Sequence, residues 1–262
     1  MDPIRSRANP LLRRLRRVAK DGGRAEGLAL VEGVKLLEEA ATAGVVVVEV
    51  AVSPRGQERA AALLAALRGR GTALHLVEEA LLASLSVTES SQGVLALARR
   101  PQFREADIYR PTPLIAVAVG LQNPGNLGGL LRSAEAAGAT GAYLTEGSAD
   151  AFGWKALRGS MGSAFRVPHV AGLALSDALG RLRTRGVRIL AAESGPATRY
   201  DAADLRGPVA LLLGNEGAGL PKAALAAADA RLAIPLLGHV ESLNVGVAAG
   251  ILLFEAARQR RG

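Results

Sequence analysis

Two blocks near the C-terminal end decide how this chain reads. The first is Leu211-Leu212-Leu213-Gly214-Asn215-Glu216-Gly217-Ala218-Gly219-Leu220-Pro221. The second is Ile234-Pro235-Leu236-Leu237-Gly238-His239-Val240-Glu241-Ser242-Leu243-Asn244-Val245. Each reads as a buried strand that breaks into a loop and then a helix. Breaks of this kind, at the carboxyl ends of parallel strands, are where α/β proteins hold ligands.

The pattern extends backward from these blocks. Leu114–Leu121 is a near-continuous apolar run, as expected of a strand covered on both faces. Gln122-Asn123-Pro124-Gly125 reads as a turn. Asn126 then reads as the cap of a helix through Ala137, with Gly138 as its stop. Strands are expected at Ala142–Thr145, Phe165–Val170 and Val187–Ala192, and helices at Phe152–Leu157 and Ser176–Arg185. Arg158–Ser163 reads as a tight loop or cap. The last helix, Ser242–Arg258, carries Gly246 and Gly250 four apart. They leave a flat strip for another backbone, either the chain's own sheet or a second subunit. Strand–helix alternation of this length argues for a parallel sheet with helices on both faces.

The first hundred residues form a second α/β pattern. Asn9 and Pro10 open a basic helix over residues 9–20, with Leu11, Leu12, Leu15 and Val18 as its apolar stripe. Strands follow at Leu28–Val31, Val45–Val52 and Ala73–Val77, and Gly93–Ala98 closes the unit with apolar residues. Helices lie through Val34–Ala41, Gln57–Leu67 and Glu78–Ser84. His75 falls in a strand and reads as structural. Residues 99–113, with three prolines among them, read as a linker. The domain boundary is placed near residue 105, giving domains 1–105 and 106–262.

Composition narrows the class. The 262 residues are 49% hydrophobic and only 3% aromatic, and they contain no cysteine. Disulfide frameworks and thiolate metal sites are therefore excluded. No apolar run reaches the roughly 18 residues of a membrane helix, and the basic N-terminus lacks a secretory core. A soluble, cytoplasmic protein is the expectation. The net charge of +8 is uneven: residues 1–24 carry eight Arg and Lys against two Asp, and residues 25–110 nine basic against eleven acidic groups. Residues 111–262 carry fifteen basic against eleven acidic groups. A basic arm and a basic C-terminal half point to a polyanion such as RNA or DNA.

Three glycine turns follow apolar strands, around Asn123–Gly129, Gly214–Gly219 and Gly238–Asn244. None has the dinucleotide fingerprint or the Gly-Lys-Ser/Thr of a triphosphate loop. Each brings polar residues, and backbone amides freed by such turns can hold a ligand. The individual residues stay ambiguous at this level. Asn126 reads as a cap or as a catalytic group. Arg132, six residues on, does not share its helix face, and i,i+3 spacing favours an ion pair with Glu135. Glu216 fits a solvated loop carboxylate, Asn215 a turn, and Ser242 and Asn244 a helix cap. His239 is a lone loop histidine. No carboxylate pair, metal-spaced cluster or nucleophile with a matching base occurs.

Asn123-Pro-Gly-Asn126-Leu-Gly-Gly-Leu-Leu-Arg132-Ser-Ala-Glu-Ala-Ala-Gly138 resembles the first motif of the SpoU (TrmH-type) RNA 2′-O-ribose methyltransferases. Leu213–Leu220 resembles their second motif, and Ile234-Pro235 through Glu241–Val245 their third. The order and rough spacing agree over residues 114–262. Asn9-Pro10 and Val31-Glu32-Gly33 resemble the ribosomal-protein-like RNA-binding domain many members carry. This chain has Gly246 where the family often has Ser or Ala, which bears on helix packing.

The resemblance implies an α/β trefoil-knot (SPOUT) parallel-sheet domain preceded by a smaller α/β RNA-binding domain. It implies S-adenosyl-L-methionine as cofactor, a homodimer, and RNA, above all ribosomal RNA, as partner, with no metal and no membrane. By position it nominates Gly214, Ile234 and Leu243 for cofactor binding. Arg132 and Asn126 would be catalytic, with Glu216, Ser242 and Asn244 supporting. Arg132 has two possible roles: a neutral base for the 2′-hydroxyl, or a charged group that anchors phosphate and stabilises the alkoxide. Glu216 or His239 would be the base in the second case. The rivals are a tRNA methyltransferase, a non-catalytic RNA-binding protein on the same fold, and a small-molecule α/β enzyme. The last explains neither the basic arm nor the order of the motifs.

Overall fold

The computed structural model describes residues 2–86, 91–195, 197–215 and 217–261. The chain divides into two compact units. One joins residues 1–101 to Phe152–Phe165, and the other joins Gln102–Ala151 to Arg166 and all that follows.

The first unit opens with α1 (Pro10–Asp21). The Asn9 side chain accepts the Leu11 N–H at 2.9 Å, and Pro10 takes the first helical position, where no N–H is needed. Next come β1 (Leu28–Glu32), α2 (Val34–Thr42), β2 (Val47–Val52), α3 (Pro54–Arg59), α4 (Ala61–Gly69), β3 (Ala73–Leu76), α5 (Glu79–Ala83) and β4 (Val94–Arg99). The sheet order is β1-β4-β2-β3. β4 runs antiparallel to both neighbours, while β2 and β3 are parallel. The apolar stripe of α1 (Leu11, Leu12, Leu15 and Val18) is buried in one core with Leu28, Leu30, Leu95 and Leu97.

The helix expected at Gln57–Leu67 is two helices that meet at Ala60. It begins earlier than expected because Ser53 caps it through the Gly56 N–H and Pro54 fits its first turn. Gly56 also lies so close to Gly93 that any side chain there would overlap the Gly93 backbone.

The second unit contains β5 (Leu114–Ala118), α6 (Pro124–Ala136) and β6 (Gly141–Thr145). The chain then crosses the first unit as α7 (Trp154–Ser160), which packs on β1. It returns with β7 (His169–Leu173), α8 (Leu175–Thr184), β8 (Arg188–Ala192), β9 (Thr198–Arg199), β10 (Val209–Leu213), α9 (Lys222–Ala227), β11 (Ala230–Ala233) and α10 (Val245–Arg260). Seven parallel strands stand in the order β7-β6-β5-β10-β8-β11-β9. β5, β6 and β10 are buried at every residue. One face packs on α8 and α9, where Leu179, Leu182 and Ala224 meet Ile115, Val117, Ile189 and Leu212. α6 and α10 pack on each other and also reach the sheet at β5, β6 and β10.

Several boundaries differ from the sequence reading. Asn123, not Asn126, caps α6: its Oδ1 accepts the N–H groups of Gly125 at 2.8 Å and Asn126 at 3.2 Å. Pro124 at N1 explains the choice. The strand expected at Phe165–Val170 lies at His169–Leu173. Phe165 ends a short 3-10 turn, and Pro168, which has no N–H, directly precedes the strand. The strand of the second block ends at Ala233, so Ile234 opens a loop. The stretch 99–113 is not a bare linker. It holds a 3-10 turn, Glu105–Ile108, with Ile108 fully buried and Glu105 accepting the Tyr143 hydroxyl at 2.6 Å.

The Gly246–Gly250 strip lies against α6 of its own chain rather than against the sheet. A Cβ on Gly246 would stand 3.8 Å from the Asn126 carbonyl oxygen, and one on Gly250 3.5 Å from Ser133 Oγ. Here the absence of a side chain lets the two helices approach. Beside that strip, Val247 and Phe254 on α10 are about half exposed.

Candidate active site

The carboxyl ends of β8, β10 and β11 open on one cavity of about 470 Å³. Three chain segments supply most of its described wall: Ala192–Ser194 at the end of β8, Gly214, Asn215 and residues 217–220 of the next loop, and Ile234, Leu236 and Glu241–Leu243 on the way into α10. A volume of this size falls within the roughly 300–1,000 Å³ of small-molecule sites.

Backbone geometry builds the β10 wall. The loop folds back on itself, with the Gly219 N–H donating to the Asn215 carbonyl at 2.8 Å and the Asn215 N–H to Gly219 at 3.2 Å. The Asn215 side chain fixes the turn from inside. Its Oδ1 accepts the Gly217 N–H at 3.0 Å, and its Nδ2 donates to the Gly120 carbonyl at 3.3 Å. Gly214 lies under this fold. A Cβ there would sit 2.5 Å from the Gly219 oxygen and 2.7 Å from the Leu220 nitrogen, closer than atoms pack. Gly219 itself has φ +64°. Glycine is therefore what allows the loop to offer main chain to the cavity.

Gly214, Ile234, Ser242 and Leu243 all line the cavity. Asn126, Arg132 and Asn244 do not. Asn244 sits between two lining residues, Leu243 and Val245, and caps α10. Its Oδ1 accepts the Gly246 N–H at 2.9 Å, which leaves Nδ2 to donate to Asn126 Oδ1, also at 2.9 Å. The structure thus brings Asn126 and Asn244 together at the cavity's edge. Glu216 lies outside the described residues. His239 is exposed in the loop and lines no part of the cavity. His75 Nε2 lies 3.7 Å from Glu49 Oε2 within the first unit's sheet.

Arg132 lies on α6 nearly two turns beyond Asn126, and it is exposed. The expected pair with Glu135 does not form. Arg166 takes both oxygens of that carboxylate, one of them at 3.0 Å from its Nη2. Arg132 has no hydrogen bond or ion pair among the described residues, so a full cationic fork faces solvent.

Two features of the site escaped the sequence reading. Glu193 lines the cavity, with its N–H donating to Leu232 at 3.0 Å. Its position just past a predicted parallel strand was the available signal. A neighbouring cavity of about 510 Å³ opens beyond β5 and β6 and shares Asn215 and Ala218 with the first.

Residues 113–254 match the SpoU rRNA methylase family, and residues 9–96 match an MRM3-like substrate-binding domain. The 23S rRNA (guanosine(2553)-2′-O)-methyltransferase RlmP of Bacillus subtilis is 34% identical over 86% of each chain. A solved RNA 2′-O ribose methyltransferase superposes over 100% of both chains with a TM-score of 0.86 at 37% identity. An AdoMet-bound rRNA methyltransferase from Sinorhizobium meliloti covers 98% of this chain and 97% of its own, with a TM-score of 0.83 at 30% identity.

Proposed function

Because this chain belongs to the SpoU rRNA methylase family, we propose that it transfers a methyl group from S-adenosylmethionine to a ribose 2′-hydroxyl of ribosomal RNA. The observation that carries this reading is the cavity in which Gly214, Ile234 and Leu243 converge. The relatives' names direct the search to guanosines of 23S rRNA.

The residues fit the cofactor. The space under the folded loop is one that a single Cβ on Gly214 would disturb, and three of that loop's lining residues, Gly214, Gly217 and Gly219, carry no side chain. When bound, S-adenosylmethionine supplies an electrophilic sulfonium methyl. The ribose oxygen would gain that methyl as the methyl–sulfur bond breaks, its proton would pass to a nearby base, and a neutral thioether would be left. Gly214, Ile234 and Leu243 hold the donor. Ser242 and the Asn244–Asn126 pair stand at the rim and position the ribose. Arg132 stays charged, anchors the RNA phosphate and stabilises developing negative charge on the 2′-oxygen. A permanently protonated guanidinium suits that role better than proton abstraction. Glu216 remains the candidate base. Positioning of two reactants away from water supplies much of the acceleration.

A homodimer is part of the proposal. Val247 and Phe254 on α10 offer an apolar face for a second copy to cover. Arg132, which does not line the cavity of its own chain, is then free to serve its partner's. Support for a trefoil knot comes from the strand order. β10 sits between β5 and β8, and after β11 the chain returns as α10 to lie on α6. Residues 1–105 serve RNA binding and 106–262 the chemistry, in the cytoplasm. No described helix is long and apolar enough to cross a membrane.

The test is methyl transfer from labelled S-adenosylmethionine to 23S rRNA fragments, with the 2′-O-methyl position mapped. One mapped ribose is expected, and calorimetric binding of the cofactor without transfer to any RNA would leave only a binding protein.

A further inference from the structure

The following rests on the cofactor reading above and deepens it. The described wall of the 470 Å³ cavity carries two charged side chains, Glu193 and Glu241, and no Arg, Lys or His. Glu193 is anchored by its N–H to Leu232, and its side chain is 29% exposed. Its carboxylate lies 3.4 Å from Arg231, whose guanidinium is outside the wall and half exposed. Glu241 is exposed in the loop before α10. The rest of the described wall is uncharged: Ser194, Asn215 and Ser242, three glycines, and apolar groups such as Leu213, Leu232 and Leu243.

The donor and the product differ little in shape and much in charge. S-adenosylmethionine carries ammonium, carboxylate and sulfonium groups and is a net monocation at neutral pH. S-adenosylhomocysteine has lost one methyl and the sulfonium charge, and is neutral overall. Apolar walls and backbone amides treat the two alike. Carboxylates do not, because their attraction acts through charge and reaches several ångströms in a partly enclosed site. We propose that Glu193, assisted by Glu241, sets the preference of this cavity for the charged donor over the neutral product. Loss of the sulfonium charge on transfer is then itself what loosens the product.

The test is calorimetry of the full-length protein with S-adenosylmethionine and with S-adenosylhomocysteine, at low and at physiological ionic strength. The wild-type chain is expected to bind the donor about tenfold more tightly than the product at low salt, a difference of about 1.4 kcal/mol. Glu193→Gln is expected to cut that ratio to about threefold or less by weakening the donor alone. Glu241→Gln, whose side chain is exposed and tolerates exchange, is expected to narrow it in the same sense. Added salt should narrow the wild-type ratio and leave that of the double variant unchanged. Equal weakening of both ligands, or a ratio that the substitutions do not move, overturns the inference. Absence of heat from either ligand with the wild-type chain removes the cofactor reading itself.

Discussion

Asn244 Nδ2 donates to Asn126 Oδ1 at 2.9 Å, which ties the N-terminal turns of α10 and α6 together at the rim of the cavity. Asn244 can do so only because its other amide atom faces the Gly246 N–H. One side chain therefore serves stability and geometry at once, and the two roles can be separated.

Asn244→Asp keeps an acceptor for the cap, and its negative charge suits a helix N-terminus. It replaces the donor to Asn126 with an oxygen that repels it. Thermal unfolding is expected to stay within a few degrees of wild type, while the methyl-transfer rate falls more than about tenfold. Asn244→Ala loses both roles, and loss of the cap costs about 1 kcal/mol. Parallel melting curves and single-turnover assays check the separation. Asn244→Asp at full activity would reduce the contact to helix packing.

Arg132 is exposed and lacks a described partner, so Arg132→Ala should change stability by less than about 0.5 kcal/mol. Cofactor affinity should stay within about twofold, and the transfer rate should fall by about 10²–10³. Mixed dimers test where the arginine acts. Arg132→Ala mixed with a cofactor-binding variant such as Gly214→Val should regain part of the activity if Arg132 serves its partner's cavity. No regain would place it in the cavity of its own chain.

Gly214→Ala adds one methyl group 2.5 Å from the Gly219 oxygen, so the loop must open. The expected result is loss of S-adenosylmethionine binding by at least about a hundredfold in calorimetry. The strands beneath, buried from Val209 to Leu213, should keep the fold cooperative. Gly219→Ala, at φ +64° with nothing near its Cβ, should weaken binding less.

The basic helix α1 divides its charges. Arg14 pairs with Glu26 at 2.8 Å and with Glu49 at 2.6 Å, and Arg17 pairs with Glu26 at 2.6 Å. Arg13 and Lys20, seven residues apart on one helix face, are exposed and have no ion pair among the described residues. Arg13→Ala with Lys20→Ala should weaken RNA binding and lower its salt dependence, with an unchanged melting temperature. Arg14→Ala should instead destabilise the first unit. The guanidinium groups of Arg14 and Arg17 hold the Glu26 carboxyl below its usual pKa. Their contribution is therefore present above the unfolded-state carboxylate pKa and is lost as pH falls through the lowered folded value. The deficit of Arg14→Ala should accordingly shrink in acid, as measured by melting temperature against pH.

The sequence by itself determined the local order of this protein. Apolar runs such as Leu114–Ala118 and Val209–Leu213 had to be covered strands, and Asn9-Pro10 had to open a helix. The glycines of 214–219 had to fold a loop at a strand's carboxyl end. Such properties are encoded within a few neighbouring residues, through periodicity, capping and allowed backbone angles. The order of the motifs carried the family reading for the same reason, since motifs are local.

Tertiary structure alone decided who meets whom. Glu135 takes Arg166, 31 residues away, over Arg132, three away, because the parallel sheet sets the distant group beside it. The Gly246–Gly250 strip receives α6 because β10 is inserted beside β5, a choice of strand order that no local pattern fixes. Asn244 and Asn126 are 118 residues apart and touch for the same reason. Long-range contacts depend on how buried surfaces sum over the whole fold. They supplied Glu193 to the cavity and left Arg132 exposed outside it.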